Sequence, residues 1–161
     1  MYCKEKTACF TGHRQIKTNY KLLFSKVYNI VEELIKQNYL YFGTGGSKGF
    51  DFLASDVILA LKHKYPHIHL ILVLPFINQY IYENNWSKEE ISHYHQLKEK
   101  ASKVVHIQKI YSKGSYFKRN RHLIDFSSIC ICYKYKDFGG TAYTVKYANK
   151  KGVKIINCNS K

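Results

Sequence analysis

The chain has 161 residues, 45% of them hydrophobic, which is enough to bury one substantial core and too few for two, so a single domain spanning residues 1–161 is expected. Its formal net charge of +15 comes from 23 lysines and only 3 arginines set against 11 acids. No apolar run reaches the roughly 18 residues of a membrane-spanning helix, and MYCKEKTACF lacks the apolar centre of a secretion signal, so a soluble cytoplasmic protein with no membrane partner is expected.

The positive charge invites a nucleic-acid partner, because a basic face favours approach to phosphates. The lysines, however, are spread along the chain with much Tyr, Ile and Asn, as an AT-rich coding sequence gives without selection for binding. Arg14, Arg119 and Arg121 are more informative, since each falls beside a turn with glycine or threonine where a rigid fork can grip phosphate or carboxylate. The cysteines at 3, 9, 130, 132 and 158 form no CxxC pair and read as packed thiols in a reducing compartment. The histidines at 63, 67, 69, 93, 95, 106 and 122 show no HExxH or Cys/His zinc spacing, so neither a metal nor a cofactor is expected.

In chain order, ACFT (8–11) reads as a first strand. Residues 20–37 form a helix with Leu23, Val27, Ile30, Val31 and Leu34 on one face. YLYFG, ending at Gly43, is the second strand, and FDFLASDVILALKHKY, ending before Pro66, the second helix. HLILVL (69–74) is a buried strand stopped by Pro75. FINQYIYENN reads as a loop, with Trp86 a candidate hydrophobic staple for the helix that Ser87 and Glu90 start as a capping box and that runs to about Lys100. VVHI (104–107) is a strand, 115–126 a helix, SSICICY a strand, TAYTVKYANKKG a helix closing at Gly152, and VKIINC (153–158) the last strand. This alternation predicts an α/β fold, a Rossmann-like three-layer sandwich around a mostly parallel central sheet.

In such a sheet ligands sit beyond the carboxyl ends of the strands, so the loops there carry the candidates. Thr11, Gly12, His13 and Arg14 place a hydroxyl, a glycine, an imidazole and a guanidinium in one turn, a plausible anion pocket. In GTGGSKGFD, Gly45, Gly46 and Gly49 let the chain approach a ligand closely, with Lys48 beside them and a helix N-terminus just beyond. The motif is neither GxGxxG nor a Walker loop, and a plain strand-to-helix turn accounts for the same residues. Asp51 either caps amides or accepts hydrogen bonds from ribose hydroxyls. Gly139 and Gly140 repeat the glycine-then-helix arrangement, with Thr141 as the expected N-cap and Thr144 one turn on. Arg119 and Arg121 lie two apart, so only one should face the ligand, leaving Arg121 to pair with Asp125.

CFTGHR (9–14), GGSKGFDFLA (45–54), LILVLP (70–75), FKRNRHLID (117–125) and GGTAYTVKYA (139–148) together resemble the SLOG superfamily, the Rossmann-like group that includes DprA and the Lonely-guy phosphoribohydrolases, in its YpsA-like branch of bacterial proteins. The resemblance covers nearly the whole chain and implies a pocket for a nucleotide or a nucleotide-derived ligand of the ADP-ribose or NAD kind. It also implies a homo-oligomer. In the phosphoribohydrolases an arginine ahead of the fifth strand and a glutamate in PGGxGTxxE cleave an N-glycosidic bond. Arg119 matches that arginine, but Lys146 falls where the glutamate belongs, which puts like charge beside a developing cation. The expected function is therefore non-catalytic binding, as a sensor, signalling adaptor or sequestering protein. A rearranged N-glycosidase using Asp51 and Arg119 is the first alternative, and single-stranded DNA binding the second.

Overall fold

A computed structural model describes residues 3–159. Strands and helices alternate as β1 (Thr7–Gly12), α1 (Tyr20–Lys36), β2 (Tyr41–Thr44), α2 (Phe50–Lys64), β3 (His69–Leu74), α3 (Lys88–Lys100), β4 (Lys103–His106), α4 (Ser115–Asp125), β5 (Ile129–Tyr133), α5 (Gly140–Lys150) and β6 (Lys154–Asn157). The six strands form one sheet in the order β4-β3-β2-β1-β5-β6. Every neighbouring pair is parallel, with Cys9 opposite Gly43 on one side and Cys130 on the other.

The two-sided burial of the central strands follows from their composition. Alternate residues Ala8 and Phe10 of β1, Leu70, Leu72 and Leu74 of β3, and Ile129 and Ile131 of β5 pack on one face with α1, α2 and α3. Cys9, Ile71, Val73 and Cys130 pack on the other with Leu123 and Ile124 of α4 and Ala148 of α5. A strand covered by helices on both faces has no place for a polar stripe, which is why HLILVL and ICICY read as near-continuous apolar runs. The fold is thus α/β, Rossmann-like and three-layered, as expected.

Local chemistry sets the element ends. The Asn19 side chain accepts from Leu22 N–H at 3.1 Å to start α1, and Ser87 with Glu90 forms the expected capping box at α3. The segment after Pro75 contains a short 3-10 turn, Gln79–Ile81, within the expected loop. Trp86 lies edge-on to Phe52 and Tyr94 beside the start of α3. At α5 the N-cap is Gly139, which makes no side-chain cap bond, and Thr141 lies inside the helix, correcting the expectation that Thr141 caps it.

The strand order sets the place of a site. From β1 the chain builds outward through β2 and β3 to β4, then returns to lay β5 on the opposite side of β1. The connections leave β1 and β5 toward opposite faces, which opens a crevice above their carboxyl ends.

Two loops at that end are packed backbone to backbone. Gly49, at φ +86°, lies so close to Arg14 that a Cβ there would collide with the Arg14 main chain. Gly49→Ala is therefore expected to cost about 3 kcal/mol or more, from left-handed strain plus the collision. Gly152→Ala, at φ +74° with nothing within 4 Å, should cost only about 1–2 kcal/mol, and urea unfolding of the two variants compares them.

Candidate functional site

The loop after β1 is held in place from both sides of the crevice. His13 N–H donates to Tyr133 O at the end of β5 (3.4 Å), and His13 O accepts from Phe50 N–H at the start of α2 (3.2 Å). The Tyr133 hydroxyl accepts from Lys17 N–H at 3.0 Å, anchoring the loop further along. His13 Nε2 accepts from Tyr135 N–H at 3.3 Å, so the neutral ring carries its proton on Nδ1. Burial, then the charges of Lys136, Lys134 and Lys17, push its pKa below the usual value. His13 is therefore a neutral, oriented group at pH 7.

The two glycine turns have different fates. In Gly45–Gly49 the space that the missing side chains leave is taken by the protein itself. Gly45 makes room for Arg119 and Asp51, Gly46 for Leu74, and Gly49 for the Arg14 main chain. The amides that would greet an anion at α2 are also engaged: Ser47 N–H donates to Asp51 Oδ2 (3.2 Å) and Phe50 N–H to His13 O. The open phosphate cradle expected at this turn is thus closed from within. At the start of α5 nothing lies within 4 Å of a Cβ on Gly139, and Gly140 has only Asn120 Nδ2 nearby, at 3.9 Å. The free N–H groups and positive dipole end of this helix face open space.

That space is a cavity of about 370 Å³ above β1 and β5. The first loop lines it with Thr11, Gly12, His13, Arg14 and Gln15, and the α5 turn with Gly139, Gly140 and Thr141. Ser47 and Asp51 form one end, and Tyr116, Arg119 and Asn120 come from α4. Tyr135 and Lys136 follow β5 at the rim. Of the other residues singled out by the sequence, Gly45, Gly46 and Gly49 support the wall from behind, while Lys48 reaches Asn85 O (2.6 Å) and Glu90 (3.6 Å) outside the cavity. Thr144 is buried and donates to Gly140 O at 2.8 Å, within its own helix. Lys146 is exposed on α5 and does not line the cavity.

Arg119 is the arginine of α4 that faces inward. It is 5% exposed, its guanidinium donates to Gly45 O, and its Nε donates to Asn120 Oδ1 at 2.8 Å. Asp51, 7% exposed, lies beside it, both groups bordering the space that a Cβ on Gly45 would fill. Burial pushes the Asp51 carboxyl up to about 6, with the charge of Arg119 and the Ser47 amide opposing the rise. Burial likewise pushes Arg119 down, while Asp51 and Glu83 hold it up. The pair supplies one cation and one weakly acidic carboxyl to the same wall. Arg121 points away and donates to Tyr143 O–H at 2.9 Å, and Asp125 accepts from Tyr147 O–H at 2.7 Å. The expected Arg121–Asp125 pair gives way to these bonds because α5 brings the hydroxyls of Tyr143 and Tyr147 within hydrogen-bond reach of one member each.

Glu83, in the stretch 76–85 read as a loop, lies behind the cavity wall and holds two of its lining residues, Arg14 and Tyr116. Its carboxylate is buried and accepts from Gln79 Nε2 (3.2 Å), Trp86 Nε1 (3.2 Å) and Tyr116 O–H (2.8 Å). Arg14 completes the set at 3.2 Å, so this arginine reaches the cavity already paired. Arg14 and Arg119 lie 5.8 and 5.7 Å from the centre of the Tyr116 ring. A signal was present: Glu83 is the sole carboxylate between Pro75 and Ser87 in a stretch that is otherwise aromatic, apolar or amide.

An ionised Asp51 carboxylate costs the fold stability. Its folded pKa is raised, so between about pH 4 and pH 6 the folded state keeps a proton that the unfolded chain has lost. Stability falls as pH rises through that window and is free of the penalty below it. Asp51→Asn should therefore raise Tm at pH 7.5, by up to about 3 kcal/mol of stability, with the gain vanishing near pH 4. Thermal unfolding at the two pH values measures both.

The comparisons with known proteins agree with this architecture. The chain is 29% identical over 141 residues to the uncharacterized SPbeta prophage-derived protein YoqJ of Bacillus subtilis, covering 80% of this chain and 81% of that one. It is 28% identical over 143 residues to a UPF0398 protein of Halalkalibacterium halodurans, covering 87% and 72%. Among solved structures, DNA processing protein A of Helicobacter pylori, described for its single-stranded DNA binding mode, superposes with TM-score 0.63 at 18% identity. DNA processing protein A of Streptococcus pneumoniae superposes with TM-score 0.64 at 17% identity. Both matches cover 92% of this chain, which spans 63% and 48% of those two chains, and at such identities they show the fold alone. The model of the YspA SLOG family matches residues 9–157, and the chain belongs to that family.

Proposed function

We propose that the protein binds a nucleotide or nucleotide-derived ligand, of the ADP-ribose or NAD kind, in the crevice above β1 and β5. The carrying observation is that the unobstructed α5 turn, Arg119 and Asp51 all border one cavity. In this reading the amides of Gly140 and Thr141 hold a phosphate at the helix N-terminus. Asn120 and the Nδ1–H of His13 add neutral donors, and Arg119 adds charge. Asp51, once ionised, accepts from ribose hydroxyls. The role falls to the α5 turn because at the Gly45–Gly49 turn protein groups fill the space beside the glycines and the Ser47 and Phe50 amides already donate to protein acceptors.

Thermal shift and calorimetry with AMP, ADP-ribose and NAD test this, since a ligand that binds only the folded state raises apparent stability. At least one member of the panel should bind, and Arg119→Lys should weaken it about tenfold or more, because a point charge replaces a planar fork. Affinity should fall as pH drops through about 6, where Asp51 gains its proton, and Asp51→Asn should remove that dependence. A panel with no binder, or binding indifferent to both substitutions, overturns the assignment.

A second reading has its own support: a carboxyl raised to about 6, in a cavity, has the properties of a general acid or base. As an N-glycosidase the protein would release free base from nucleotide or NAD, and Asp51→Asn would abolish release. Chromatography of the incubated ligands separates this from simple binding, for which they are recovered intact. Single-stranded DNA is the partner named for the Helicobacter pylori structure, and the +15 charge is compatible with it here. Binding through a diffuse lysine surface would survive Arg119→Lys and collapse with salt.

A further inference from the structure

The rim of the cavity on the β5 side carries more positive charge than one phosphate needs. Lys136 lines the cavity, Lys17 meets it through the ring of Tyr135, which also lines it, and with Lys134 both lie near enough to His13 to lower its pKa, yet the three differ in how they are held. Lys134 is neutralised by Asp137 at 2.7 Å. Lys17 and Lys136 have no carboxylate partner among the described residues; each ammonium sits on an aromatic ring, 4.6 Å from the centre of Tyr135 and 4.9 Å from that of Phe138. Tyr135 is fixed in turn by its O–H bond to Gln15 O (3.0 Å), its N–H bond to His13 and a ring contact with His13 at 4.2 Å. Lys17 is fixed by its own N–H bond to Tyr133.

An exposed cation–π contact holds an ammonium weakly enough that a phosphate displaces the ring. Two unpaired cations positioned this way, outside an inner anion site at α5, make a second anion subsite.

We infer that the ligand carries two phosphoryl groups, the inner one at the α5 N-terminus and the outer one between Lys17 and Lys136. The inference rests on the nucleotide reading above and narrows it to nucleotides extended beyond a monophosphate. A pyrophosphate, as in ADP or ADP-ribose, and a phosphodiester, as in a 5′-phosphorylated dinucleotide, share this chemistry. A monophosphate fills the inner site alone.

Calorimetry with AMP, ADP and 5′-phosphorylated diadenylate, on the wild type and on Lys17→Gln/Lys136→Gln, tests it. Both lysines are exposed, so the double variant should fold as the wild type does. ADP or the dinucleotide should bind about tenfold more tightly than AMP, an advantage that rising salt reduces. In the double variant that advantage should shrink to about twofold while AMP affinity stays unchanged. A gain for ADP alone identifies a pyrophosphate ligand, and a gain for the dinucleotide alone a phosphodiester one. If the three bind the wild type equally, or the variant keeps the difference, the outer subsite is refuted and the nucleotide reading stands. If none binds, both fall together.

Discussion

A glycine without a side chain lets a carboxylate and a guanidinium share one buried wall. Gly45, at the end of β2, is flanked by Asp51 from α2 and Arg119 from α4, and any Cβ there would displace both. Each group is nearly sealed from water, and each is held mainly by main chain, Asp51 by the Ser47 amide and Arg119 by the Gly45 carbonyl. Burying charge in this way is costly, and the raised pKa of Asp51 expresses that cost. Nothing in the packing of the sheet requires an acid there. A destabilising carboxylate kept in the wall of a cavity has the character of a functional-site group, where stability and function conflict.

The two glycine turns show how similar local sequences can do opposite work. GTGGSKGFD and KDFGGTAYT both place glycines between a strand and a helix, and both could expose helix N-terminal amides. The first follows β2, where the loop after β1 presses against it and the Ser47 and Phe50 amides turn inward to protein acceptors. The second follows β5, and beyond it there is only open space and Asn120. Position relative to the strand-order reversal decides which glycine pair is structural and which is available.

Around the mouth, charge is arranged in pairs of unequal commitment. Glu83 has three neutral donors besides Arg14, so it remains satisfied if Arg14 turns toward an anion. Lys17 and Lys136 rest on rings and not on carboxylates. The groups nearest the entrance are therefore placed but not spent, while the groups deeper in are fixed. Charged groups that are oriented in advance and only lightly committed are those whose reorganisation would oppose anion binding least.

What the sequence determined by itself was the order of elements and their ends. Apolar runs buried on both faces, helical periodicity from Leu23 to Leu34, the Ser87 capping box and the TGHR turn all depend on residues within a few positions of one another, so one-dimensional pattern suffices. The inward arginine of α4 was legible as one of two, because residues two apart on a helix diverge. Glu83, Tyr116, Asn120, Tyr135 and Lys136 were not legible as neighbours, nor was the closure of the Gly45–Gly49 turn. These depend on which loops the sheet brings together, and strand order is set by long-range packing that no local spacing records. Tertiary structure alone decided that Arg119 would lie against Gly45, 74 positions away in sequence, and so which glycine turn stayed open.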